Sequence, residues 1–355
     1  MRIGYSCWGF LGNGITDTPD GGRSHRRPLL DALAGHGHDL VLLQADRDRA
    51  EAHDPAPGEA FRFDPAGFPA LDALVLEWRW PIPGRNTTVC GSPGHTCDLQ
   101  RQDDLLAHYT ADRQLPTIVW DKDRKLPADS HWRRARAVTV CEASLTVTPG
   151  AHRLLFPADD RLLDAADPQA LAALPRPITL TYAGNQYERD AAFSRYFAPA
   201  AADVHHQVAG KWTDTDRWPG LRFTGRLPFS EVDSLYRRSL ATVLLLPERY
   251  ATAGQMTQRI FEAVLAGCLP LAPAGIAGAH LFVPRPLIVR SGVDVREKLA
   301  WLRQLEGTDE HAELISACLD RLELFRLSTQ AATLDRLLRR SAGSAATPSL
   351  WRVTA

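Results

Sequence analysis

Residues 257–267 read TQRIFEAVLAG and lead directly into CLPLAPAG at 268–275. Ile260, Phe261, Val264 and Leu265 recur at the spacing of one helical face, which Met256 extends. Gly267 closes the helix, and the apolar run 268–273 has the length of a buried strand ended by proline and glycine. A helix packed on one face and followed at once by a buried strand is the repeating unit of an α/β layer fold. Arg259 and Glu262 stand three residues apart near the start of that helix, so they are surface neighbours. As an i,i+3 ion pair they contribute only about 0.2–0.5 kcal/mol. As a binding pair they offer a guanidinium for a diphosphate and a carboxylate that accepts from two ribose hydroxyls.

Outward from this unit the same alternation repeats. Upstream strands are predicted at 178–184, 204–210, 221–225 and 241–247, separated by helical stretches such as ERDAAFSRYFAPA and SEVDSLYRRSL. The first half carries a second series, with strands at 2–8, 39–45, 73–78, 116–121 and 137–143. A Pro-, Ala- and Asp-rich stretch, 157–177, separates the two. We therefore expect two doubly wound, Rossmann-like α/β domains. The N-terminal one spans 1–156, the linker 157–177 and the C-terminal one 178–325, followed by a helix and loose tail over 326–355. A chain of 355 residues exceeds what one hydrophobic core usually organises.

Composition narrows the classes. Hydrophobic residues make up 45% and charged residues 23%, as in ordinary globular proteins, and the net charge of −1 gives no global basic field for nucleic acid or anionic membrane. No apolar run reaches the roughly 18 residues of a membrane span, and the N-terminus lacks signal-peptide zones, so a cytoplasmic protein without membrane partners is expected. Of the six cysteines, four lie in apolar runs. Cys90 and Cys97 flank His95 in the glycine-rich loop CGSPGHTC, whose spacing matches no common structural zinc motif, and no metal is expected there.

In doubly wound sheets, ligands bind beyond the carboxyl ends of the strands. Four such loops stand in order in the second half: Y-A-G-N…E-R-D (182–190), V-A-G-K-W (208–212), R-F-T-G-R-L-P (222–228) and the opening stretch. Together they resemble the C-terminal domain of GT-B glycosyltransferases, most similarly bacteriophage DNA β-glucosyltransferase and related bacterial enzymes. The likeness covers about 178–275 and is weak in the N-terminal half. It implies the GT-B architecture, two Rossmann-like domains facing across a cleft, and a nucleotide-sugar donor with UDP as its nucleotide. Position by position, it implies that Glu262 binds the ribose hydroxyls, Arg259 and Arg189 the diphosphate, and Gly184 with Asn185 the phosphate-facing turn. Leu227 would meet the base through its backbone, bordered by Lys211 or Trp212. The second glutamate of many retaining members, eight residues before Glu262, is here Gly254, which leans the reaction toward inversion.

Inverting transfer needs a general base. PTIVWDKDRKLP offers two. Strand register favours Asp121 and distance to the following Leu-Pro favours Asp123, with Asp121 marginally first. The loop GFLGNGITDTPDGGRSHRR is expected to close over the site, with His25 or Asp20 orienting a sugar. Its G-x-x-G-x-G is not read as a dinucleotide fingerprint, because the helix starts near Ser24 and does not open on the glycines. The acceptor is expected to be a soluble natural product or saccharide that meets Glu77, Trp78 and Trp80. No cofactor or metal is expected beyond the donor. The alternatives are transfer to a DNA base, served by the basic cluster Arg124, Lys125, Arg133, Arg134 and Arg136, a nucleotide-sugar epimerase, or a non-catalytic binder.

Overall fold

The apolar runs of the first half form seven parallel strands: β1 (Arg2–Ser6), β2 (Asp39–Leu42), β3 (Arg62–Phe63), β4 (Ala73–Glu77), β5 (Thr117–Asp121), β6 (Val138–Glu142) and β7 (His152–Arg153). Their order is β3-β2-β1-β4-β5-β6-β7. These positions belong to a computed structural model that describes residues 1–12, 23–84 and 86–345. The second sheet holds β8 (Ile178–Ala183), β9 (His206–Ala209), β10 (Ser239–Val243), β11 (Leu269–Pro273) and β12 (Ile288–Val289), all parallel, in the order β12-β11-β10-β8-β9. Each sheet reverses direction once, between β1 and β4 and between β8 and β10, and these are the switch points where ligands bind.

Central strands such as Ala73–Glu77 and Leu269–Pro273 are buried throughout, which is why they read as unbroken apolar runs without alternation. Three edge strands, β3, β7 and β12, have two residues each, too few for a pattern to show in the sequence. The strand predicted at 221–225 is instead a single parallel bridge between Val208 and Phe223.

The stretch 157–177 is structured. Two short helices, Asp160–Asp164 and Pro168–Ala172, start on the side chains of Asp159 and Asp167, and the second packs on the helix Asp309–Leu322. Buried Arg176 follows and donates to the carbonyls of Leu171, Arg237 and Ala266, satisfying chain ends that converge there.

The last helix, Leu327–Ala345, returns to the first sheet and lies on β5 and on the helix Arg23–Gly35. Leu30 and Leu33 on one side and Leu334 and Leu338 on the other are fully buried, each contributing about 1.5–3 kcal/mol. His38 Nε2 lies 2.7 Å from the Asp335 carboxylate in the same contact. The chain thus passes between the sheets twice, near Ala158 and near Arg326, and the two passages bond to each other. Ala158 N–H donates to Phe325 O at 2.7 Å, and Leu327 N–H donates to Ala158 O at 2.9 Å. Among the described residues no helix is long and apolar enough to cross a membrane.

Candidate active site

On the second sheet the site is built from close backbone approach. A Cβ on Gly210, whose φ is +132°, would lie 2.1 Å from the carbonyl oxygen of Gly184, so the loops after β8 and β9 touch only because position 210 is glycine. The Asn185 side chain fixes the contact by accepting from Lys211 N–H at 2.9 Å. A Cβ on Gly184 would in turn meet the Arg259 guanidinium at 2.5–2.7 Å, so this arginine lies flat against a bare backbone. Arg259 Nε donates to Ala183 O at 2.6 Å and Nη1 reaches Thr257 Oγ1 at 3.4 Å. Its hydrogen bonds therefore go to the end of β8 and to Thr257, and its guanidinium makes no contact with the Glu262 carboxylate within 4.0 Å among the described residues. Arg189 is buried beside it, and its Nε and Nη1 donate to the carbonyls of Leu245, Asn185 and Tyr187. Nη2 makes no bond among the described residues.

The facing wall comes from the first sheet. Glu77 ends β4 and pairs in register with Trp120. Its carboxylate takes a two-pronged bond from Arg26 (2.8 and 2.7 Å), a bond from the Tyr5 hydroxyl (2.7 Å) and an ion pair with Lys122 (2.5 Å). Burial pushes its pKa up, but Arg26 and Lys122 outweigh burial and hold it well below the usual carboxylate range. Glu77 is thus a charged anchor that fixes Lys122 and is saturated as an acceptor.

The two candidate bases separate cleanly. Asp121 is fully buried, and its two carboxylate oxygens accept from Lys125 N–H and Leu126 N–H, both at 2.9 Å. It shapes the turn 121–126 from inside and does not line the cleft, contrary to the order suggested by strand register. Burial raises its pKa to about 6 against the pull of those two amides. Asp123, lifted by the turn, lines the cleft and accepts from the Tyr250 hydroxyl.

His25 is not on the surface of its helix but wholly buried, 4.8 Å from the Phe156 ring centroid and 5.6 Å from that of Trp120. Its Nδ1 lies 2.7 Å from Gln258 Nε2, just ahead of the helix Arg259–Leu265, so it joins the two halves behind the cleft rather than facing into it. Asp20 lies outside the described residues. Trp212 does not border the cleft either. Its Nε1 donates to Gly184 O and its ring packs with Phe193, Trp218 and Phe223, while Lys211 is exposed outside the cleft.

The two walls enclose a cavity of about 250 Å³. Gly184, Asn185, Arg189, Leu227, Arg259 and Glu262 line it from one side. Trp8, Glu77, Trp78, Trp80 and Asp123 line it from the other. Tyr250, Gln258 and Arg226 also line it, and sequence reasoning had given them no role. Tyr250 and Gln258 gain theirs only from partners more than 120 residues away, and Arg226 was visible only as part of the G-R-L-P turn. Gly254 has φ +62° at the end of the helix Glu248–Ala253, and a Cβ there would stand 2.6 Å from Ala277 O. This backbone therefore admits no carboxylate at that position.

Residues 189–334 match a family model described as glycosyl transferase-like. No curated protein matches the chain significantly. Among solved structures, the T4 phage β-glucosyltransferase in complex with UDP and Mn²⁺ superposes with a TM-score of 0.64 at 12% identity, covering 95% of this chain and 99% of that one. An α-glucosyltransferase in complex with UDP-glucose and DNA containing an abasic site gives 0.62 at 12%, with 95% and 99% covered. AviGT4, a glycosyltransferase involved in avilamycin A biosynthesis, gives 0.54 at 15%, with 97% and 98% covered. These likenesses establish the fold as GT-B, with two Rossmann-like sheets facing across a cleft.

Proposed function

We propose, for a chain of GT-B fold with a glycosyl transferase-like stretch at 189–334, that it is an enzyme transferring a sugar from a nucleoside-diphosphate sugar to a hydroxyl of a soluble acceptor, with inversion. One observation carries this reading. Arg259 and Glu262 on one wall and Asp123 on the other line the same cavity.

In this reading the donor lies on the second sheet. Its diphosphate meets Arg259, Arg189 Nη2 and the backbone at 184–185, its ribose hydroxyls donate to Glu262, and its base, of which uracil is our choice, lies against Leu227. Arginines suit this place because their charge is permanent and their planar fork matches phosphate oxygens. The acceptor lies on the first sheet against Trp8, Trp78 and Trp80. Its hydroxyl oxygen forms a bond to the anomeric carbon from the face opposite the diphosphate. The hydroxyl proton passes to the Asp123 carboxylate, and the anomeric C–O bond breaks with its electron pair leaving on the diphosphate. Arg259 and Arg189 stabilise the charge that develops there, and Glu77 fixes Lys122 in the same cavity. The arginines supply this role with no metal required. The glycine at 254 supports a single displacement, since no second carboxylate can stand there.

A small acceptor fits better than DNA. Of the five basic residues at 124–136, Arg124 is held by Glu142, Lys125 by Glu188, Arg133 by Glu142 and Arg134 by Asp129 O, so four are committed to acceptors of this chain and Arg136 alone stands exposed with no hydrogen bond or ion pair among the described residues. Nucleic acid binding needs such charges turned outward to phosphates. The test is thermal stabilisation by a panel of nucleoside diphosphates and nucleotide sugars, followed by donor turnover with and without acceptors. If no nucleotide stabilises the protein, the reading falls.

A further inference from the structure

Outside the cleft, the loop that leaves the first sheet after Trp80 gathers three soft ligands. Gly91 and Gly94, with φ of +84° and +80°, and Cys97, with φ +54°, fold the loop back on itself. Ligand atoms of Cys90, His95 and Cys97 come to lie within 4.8 Å of one another. In a tetrahedral zinc site, neighbouring sulfur and nitrogen ligands stand roughly 3.5–3.8 Å apart, so a contraction of about 1 Å closes this set.

The orientation of the histidine points the same way. His95 Nδ1 lies 2.7 Å from Thr88 O, which fixes the proton on Nδ1 and sets the ring. Nε2 is left as the lone-pair nitrogen, and it is buried without a partner among the described residues. A backbone carbonyl on one imidazole nitrogen and an open lone pair on the other is the arrangement found behind metal-ligating histidines. Both cysteines are free and exposed, whereas Cys7, Cys141, Cys268 and Cys318 are buried.

We propose that Cys90, His95 and Cys97 bind one zinc ion, with water or an outside ligand in the fourth position. The two thiols deprotonate on binding and release their protons to solvent. No further His, Cys, Asp or Glu among the described residues joins the group, so the ion keeps an open position. Its effect is to brace one wall of the cleft. The same loop runs back through Asn86, which accepts from Ile82 N–H at 2.7 Å and donates to Trp80 O at 3.0 Å, and both Trp80 and Ile82 line the cavity.

The test uses the full chain, reduced and stripped of metal. Zinc in competition with a chromophoric chelator is expected to bind at one equivalent. Cobalt is expected to give sulfur-to-metal charge-transfer bands with the visible bands of a tetrahedral site. A native thiol titration should read two fast thiols, and zinc should slow them by at least about tenfold. The double variant Cys90→Ser with Cys97→Ser should lose all three signals while still binding nucleotide, which reports its fold. Zinc uptake that survives the double variant, the absence of stoichiometric uptake, or two thiols found only after reduction of a Cys90–Cys97 disulfide in the freshly isolated protein would each overturn the proposal.

Discussion

The hydroxyl of Tyr250 donates to the carboxylate of Asp123 across the cleft, joining the helix Glu248–Ala253 of one half to the turn 121–126 of the other. Arg249 adds a bond to Asp123 O at 2.9 Å, and Gln255 Nε2 donates to Lys122 O at 2.5 Å. The carboxylate is therefore oriented by the meeting of the halves and not by its own strand.

Asp123→Asn is expected to lower kcat for transfer by roughly 10²–10⁴-fold with nucleotide affinity unchanged, as for loss of a general base. Asp121→Asn should retain most of the activity, because the side chain lies outside the cleft and its amide oxygen keeps one of the two bonds from the turn. Parallel measurement of product formation at saturating donor decides between them. The reverse ranking would return the base to Asp121.

Glu262→Ala is expected to weaken nucleoside diphosphate binding by about 1–3 kcal/mol through lost ribose bonds. Calorimetric titration checks this, with the 2′,3′-dideoxy nucleotide as comparison. The variant should bind the two equally. A preference for the ribose form that persists in the variant would remove Glu262 from the ribose site.

Gly184→Ala places a methyl group where the Arg259 guanidinium lies, 2.5 Å from Nε. The flexible end of the arginine can yield, so the protein should fold while the diphosphate contact is lost. Affinity for a nucleoside diphosphate should fall at least about tenfold, equivalent to about 1.4 kcal/mol, with affinity for the bare nucleoside little changed. Equal losses for both would place Arg259 elsewhere than at the diphosphate.

Burial raises Asp121 from 3.8 to about 6, which gives stability a defined pH dependence. Between those values the folded chain holds a proton that the unfolded chain has released, so this residue's contribution to stability falls as pH rises and is fully lost above about 6. Asp121→Asn lacks that fall. The stability difference between variant and parent should shift in the variant's favour by up to roughly 3 kcal/mol from about pH 4 to about pH 7, on top of a pH-independent loss for the turn bond the amide NH2 cannot accept. Urea midpoints across that range measure it, and a pH-independent difference would mean the carboxyl titrates normally.

Where a residue's position follows from its own strand or loop, it was legible in the sequence. The long buried strands, the glycine turn at 184 and the placing of Arg259 and Glu262 at the start of one helix were legible because apolar runs, tight turns and helical spacing are local. Which of Asp121 and Asp123 faces the cleft was not, since it is decided by two amides that turn one side chain inward and by Tyr250, 127 residues further on. His25 was misplaced for the same reason, as the rings that bury it come from β5 and from Phe156. Trp212 was drawn toward the ligand by its loop position, yet four other aromatic side chains, of Tyr182, Phe193, Trp218 and Phe223, hold it against the core.

The paired passages at Ala158 and Arg326 set what the two halves can do mechanically. A single tether would let one half swing and twist freely. Two backbone segments bonded side by side, with further backbone bonds from Leu145 to Gly254 and from Thr146 to Ala253, restrict how the halves can turn against each other. The same geometry makes the N-terminal half discontinuous in sequence. A fragment stopping at the first passage would leave Leu30 and Leu33 without the cover of Leu334 and Leu338, so the halves cannot be cut apart at one place and still each carry a complete core.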